Sequence, residues 1–168
     1  MSDIDDPPWA DPGVKEAYAQ ALGRMLVAFN AVENEVSGLI MRLIPQPELA
    51  PVRDRLRAEP FGRRLDTLLS LRNTHPAPLA TCGLDTLKAL AARRNHFAHG
   101  FMDQNPFDGS FAIVSGKQTT QGFQSHLHSA PHDGLAELDQ LTQDCDTAFD
   151  RLRSVSLWFD FDDLDGEA

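Results

Sequence analysis

Arg94 is followed at once by Asn95 and, five positions on, by His99, in the run Ala92-Arg93-Arg94-Asn95-His96-Phe97-Ala98-His99-Gly100. An Arg carries a permanent charge on a planar fork of donors that suits a phosphate, and a His exchanges a proton near neutral pH. Together they suffice for cutting RNA without a metal: a proton-transfer group, a cation for the phosphate and a polar neighbour to hold geometry.

A formal net charge of -10 argues on its face against a polyanionic partner, since such binding draws its strength from basic side chains. The charge is unevenly spread. Residues 53–99 carry nine Lys or Arg against four acids, whereas residues 1–52 carry three against eight and residues 100–168 three against thirteen. One basic segment, the one that holds the Arg-Asn-His run, sits inside an acidic protein; a solvated helix face explains it as readily as a phosphate-facing patch.

The elements that must position these residues are mostly helical. The length fits one domain. The sequence predicts a disordered acidic lead over 1–13, a single domain over 14–159 and a loose acidic tail over 160–168. A long helix over about 14–44 repeats Leu22, Met25, Leu26, Phe29, Val32, Val36, Leu39, Ile40 and Leu43 at steps of three and four, and Pro45 and Pro47 stop it. A second helical region over about 52–72 breaks near Pro60-Phe61-Gly62, and Pro76 and Pro78 impose a loop. The third helix starts near Leu84, turns Leu87, Leu90, Ala91 and Ala98 inward, and is capped by Gly100. Residues 101–109 read as a loop. An insertion at about 109–130 holds two short strands of a hairpin, 111–114 and 123–128, and a last helix spans about 131–158. The expected fold is mainly α: an antiparallel four- to five-helix bundle with a short β-hairpin before the last long helix.

At about 100 degrees per residue the apolar positions of the third helix cluster near 300 degrees, with Arg94 at about 280, Arg93 at about 180 and His96 at about 120. Arg94 therefore lies on the core-facing stripe, where a charge needs a partner or a cleft, while Arg93 and His96 point away. Glu33 lies in the apolar stripe of the first helix, beside Phe29, Val32 and Val36. The reading is that Glu33 hydrogen-bonds Arg94 or Asn95 and orients it; a buried ion pair with no chemical role is the alternative.

Asn95 and His99 share a helix face, but Arg94 and His99 stand about 140 degrees apart on an ideal helix. Either the helix loosens before Gly100, or the site is composed across a two-fold interface, which makes a homodimer a condition of activity.

Arg94-Asn95-His96-Phe97-Ala98-His99, with the helix order around it, resembles the HEPN (higher eukaryotes and prokaryotes nucleotide-binding) domains. Their ribonuclease members share an Arg-x4-6-His motif with a polar residue directly after the Arg. The resemblance implies a metal-independent endoribonuclease, a toxin or defence effector, in which the ribose 2'-hydroxyl attacks the adjacent phosphate. It implies His99 as general base or acid, Arg94 as the cation on the phosphate and Asn95 as the geometric brace. Glu33, Arg93 and His96 stand in support, with Arg93 as a further phosphate contact. RNA is then the substrate, a cognate antitoxin or nucleotidyltransferase is a possible partner, and no cofactor or metal is required. The alternative is a non-catalytic dimer of the same fold that binds a nucleotide or a protein.

Other chemistry is less well supported. His96, His99, His126 and His128 could converge on a metal, but no Cys or carboxylate joins the set. His126, His128 and His132 read as hairpin polar residues that touch substrate if the hairpin folds over the helix end. Arg72-Asn73-Thr74-His75 imitates the motif at too short a spacing and reads as a helix end. Cys82 and Cys145 read as buried thiols rather than a disulfide, as in a reducing compartment. The opening residues have no basic-then-apolar leader and no run approaches a membrane span, so the expected location is cytoplasmic, without a membrane partner.

Overall fold

In the computed structural model, residues 12–44, 46–104, 111–119, 122–127 and 134–165 are described. The chain is mainly helical. In order come α1 (Pro12–Leu43), α2 (Gln46–Ala58), α3 (Phe61–Leu71), a single turn α4 (Pro76–Leu79), α5 (Leu84–His99), strands β1 (Phe101–Gln104), β2 (Phe111–Thr119) and β3 (Gly122–Leu127), and α6 (Gly134–Asp165). The acidic lead (residues 1–11), most of the expected loop (105–110), His128 and His132 lie outside the described residues.

The chain groups into two compact units. One comprises residues 1–26 and 93–142 and the other residues 27–92 and 143–168. In the first unit Ala21, Met25, Phe97, Ile113, Leu138 and Leu141 are buried. Arg24 Nη2 of α1 meets Asp139 Oδ1 of α6 at 3.0 Å in the same unit, as an exposed pair worth little. In the second unit the core is built from Phe29, Val32, Val36, Leu39 and Ile40 of α1, Phe61, Leu65 and Leu68 of α3, Leu84, Leu87 and Leu90 of α5, and Cys145, Leu152 and Val155 of α6. The steps of three and four along α1 and α6 become continuous apolar stripes because a helix returns to the same side every 3.6 residues. Phe29 and Phe61 pack edge to face there, with ring centroids 5.1 Å apart. Both cysteines are buried thiols.

Several boundaries differ from those the sequence predicts. The second region breaks at Pro60 into two helices, as expected, but it begins at residue 46 rather than 52. Pro47 falls in the first turn of α2, where its missing N–H is not needed, whereas Pro51 lies inside the helix and forfeits one backbone bond. Pro76 and Pro78 do not impose a plain loop; Pro76 starts the turn of α4 with His75 as its N-cap. The tail is not loose over 160–165, because α6 continues to Asp165 and no Pro or Gly interrupts it before Gly166.

The sheet has three strands, in the order β1-β2-β3, rather than two. Phe101-Met102-Asp103-Gln104 pairs antiparallel with β2 through Phe101↔Val114 and Met102↔Ile113, and β2 pairs with β3 through Val114↔Leu127 and Ser115↔His126. Four residues are a short strand, and the polar, Gly-containing run that follows hides the signal from a periodicity reading. Among the described residues no helix is long and apolar enough to cross a membrane.

Candidate functional site at the end of helix α5

Helix α5 stays α-helical through His99, and Gly100 N–H donates to His96 O at 2.8 Å. It does not loosen before Gly100. Arg94 and His99 are therefore separated by about 7.5 Å along one axis and about 140 degrees around it, and a single helix does not aim both at one phosphate.

Gly100 is not a left-handed cap. Among the described residues the glycine at positive φ is Gly83, at 63 degrees, directly before α5. What Gly100 provides is close approach: a Cβ there would sit 2.5 Å from Ile113 Cγ2 and 2.6 Å from His96 O. The missing side chain lets β2 lie against the end of α5 and fixes where His99 and Phe101 stand.

Arg94 is half-buried, in keeping with its place on the apolar stripe, and its Nη1 donates to Asn95 Oδ1 at 2.9 Å. The Asn side chain thus acts on the guanidinium of its own neighbour. Asn95 and His99 are exposed. Arg93 and His96 are half-buried as well, so exposure alone does not separate Arg93 from Arg94. Phe97, between them, is buried at 4% exposure although it lies about 80 degrees off the apolar centre.

Glu33 finds a partner that the helical-face argument did not name. Its Oε2 accepts from Arg64 Nη2 at 3.0 Å, with both side chains largely buried. Arg64 also donates from Nη1 to Ser37 Oγ at 3.0 Å and stands over the Phe61 ring, 5.7 Å from its centroid. Glu33 thus orients Arg64, a cation of its own unit. The signal was available. Arg64 lies three residues after Phe61 and four before Leu68, both buried, so it is a charge on an apolar stripe in the same sense as Glu33.

Phe101 was missed as well. It opens β1 two residues after His99 and is 57% exposed, an aromatic face beside the candidate site. Arg72-Asn73-Thr74-His75 lies at the end of α3, where Arg72 Nη1 approaches Asp85 Oδ2 at 3.6 Å and Thr74 Oγ1 meets His75 Nδ1 at 2.9 Å. Among the described residues no group of three or more His, Cys, Asp or Glu is arranged to hold a metal ion.

No protein-family profile, no curated protein and no solved structure matches this chain.

Proposed function

We propose that this chain is a metal-independent endoribonuclease, a toxin or defence effector of the HEPN type, whose site is composed from two copies. Arg94 and Asn95 come from one α5 and His99 from the other. The observation that carries the reading is the Arg94 Nη1 to Asn95 Oδ1 bond at 2.9 Å on a half-buried Arg, which holds a phosphate-binding fork in a fixed orientation one and a half turns before an exposed His. The continuous helix supports a site shared between copies, since it keeps Arg94 and His99 of one chain on different faces.

In the reaction His99 takes the proton from a ribose 2'-hydroxyl, and the freed oxygen bonds to the adjacent phosphorus. Arg94 neutralises the charge that builds on the non-bridging oxygens. The bond from phosphorus to the 5' oxygen then breaks, the leaving oxygen receives a proton from an imidazolium, and a 2',3'-cyclic phosphate remains. The exposed Phe101 ring offers a flanking base a surface to stack on, worth about 1–3 kcal/mol per base.

The test is RNA cleavage in EDTA by the wild-type protein beside Arg94→Ala and His99→Ala, with analysis of product ends and a broad set of RNAs. Activity lost in both variants, with cyclic phosphate termini from the wild type, is the expected result. Three indistinguishable proteins would reject the nuclease and leave a dimer of the same fold that binds a nucleotide or protein.

A further inference from the structure

The second unit contains a cavity of about 340 Å³ lined by Asn34, Ser37, Met41, Arg53, Leu56 and Arg64. Its volume is in the range of small-molecule sites. Met41 and buried Leu56 supply an apolar wall; the other four supply hydrogen-bonding groups and two guanidinium ions.

Arg64 is held as binding residues are held rather than left to wander. Its side chain is 15% exposed, Glu33 fixes one Nη, Ser37 fixes the other, and the Phe61 ring lies under the plane. Its Nε is buried without a hydrogen-bond partner, while the bonds to Glu33 and Ser37 use three of the four Nη hydrogens. An ion pair serving packing alone explains Glu33 and Arg64, but it explains neither the open volume nor the second cation. Arg53 of α2 lines the same cavity, is exposed, and makes no ion pair among the described residues. Among the described residues two guanidinium ions stand here against the one carboxylate of Glu33, an excess of positive charge in a chain of net charge -10.

We propose that this cavity binds a small organic anion, with its carboxylate or phosphate head on Arg53 and Arg64 and its apolar body against Met41 and Leu56. Asn34 adds an amide that can donate to the head or accept from a polar substituent. No described lining residue belongs to the Arg-Asn-His run, and anion binding is read without RNA cleavage, so the proposal is tested separately from the nuclease reading.

Calorimetric titration of the full chain with phenylacetate, phenyl phosphate, inorganic phosphate and benzyl alcohol tests it. One or both of the two phenyl anions should bind, each binder at least about tenfold more tightly than benzyl alcohol or inorganic phosphate, and their order identifies the head group. Arg53→Ala, on an exposed position, should weaken that binding about tenfold while its unfolding midpoint without ligand stays at the wild-type value. Arg64→Lys should weaken it as well, because a point charge does not replace the fork. No binding by either phenyl anion overturns the proposal, as does equal binding of the neutral compound. Inorganic phosphate binding as tightly as phenyl phosphate removes the apolar part of the site, and undiminished affinity in Arg53→Ala removes the anionic part.

Discussion

Ser156 is the buried polar residue of the described core, fully out of solvent on α6, and its surroundings show why a hydroxyl is tolerated there. Its Oγ donates to Glu35 Oε1, while its carbonyl accepts from Arg42 Nη1 at 2.7 Å. Arg153 Nη1 lies 3.8 Å from the other oxygen of Glu35, which is 13% exposed. Removing the hydroxyl leaves a largely buried carboxylate one donor short. Ser156→Ala should therefore lower unfolding stability by about 1–3 kcal/mol, read as a drop in the denaturant midpoint; an unchanged midpoint would show that the network contributes nothing net. Cys82 gives a pH-dependent counterpart. Burial pushes its thiol from the ordinary 9.0 up to about 11, so the native state keeps a proton that the unfolded chain releases. That contribution is fully present below about pH 9 and is lost as pH rises toward 11. The stability advantage of wild type over Cys82→Ala should shrink across this window by an amount on the order of 2 kcal/mol, and a constant difference would contradict the burial argument.

At the scale of elements, two glycines make opposite demands. At Gly100 an added Cβ meets Ile113 Cγ2 at 2.5 Å and a backbone oxygen at 2.6 Å, and the second of these cannot rotate away. Gly100→Ala should cost about 1–3 kcal/mol and push the end of α5 off β2, which moves His99 and Phe101. Gly62 lies in the first turn of α3 with open space around the position a Cβ would take. Gly62→Ala should be neutral or stabilising by up to about 1 kcal/mol, because it removes freedom from the unfolded chain. Thermal unfolding of the pair separates close approach from helix propensity as the reason for Gly100; equal shifts in the two variants would argue against the close contact.

For the whole molecule the decisive question is whether one chain suffices. The basic segment 53–99 carries the candidate phosphate groups within a protein whose remaining segments are acidic, so any RNA affinity should fall steeply with added salt. A composite site makes a sharper prediction. Arg94→Ala and His99→Ala are each inactive alone, but a mixed dimer of the two retains one complete site. Random mixing should restore about a quarter of wild-type cleavage, since half the dimers are mixed and each has one of two sites intact. Mixtures that stay inactive, in a protein shown to exchange subunits, would require Arg94 and His99 to serve the same site from one chain.

Local periodicity determined a large part of this protein. The apolar steps along 14–44, the start of α5 at Leu84 and its end at His99, the burial of Cys82 and Cys145, and the position of Arg94 on an apolar stripe all follow from the sequence, because helix geometry repeats over four residues and needs no knowledge of remote segments. The strand at Phe101–Gln104 escaped because four residues form a strand only when β2 supplies the other half of the ladder. The role of Gly100 depended on Ile113, thirteen residues away, and the tail Asp160–Asp165 became helix by continuing α6. A helical wheel says that Glu33 requires a counter-charge but not which one. Arg64 supplies one, held by Ser37 and Phe61, and these residues meet only when α1 and α3 pack in the second unit. What the sequence determined by itself is thus the elements and the faces that must be covered. Which charges share a face, and which volume stays open between them, was decided by tertiary packing, because pairing energy depends on the distance between groups and that distance is set by segments far apart in the chain.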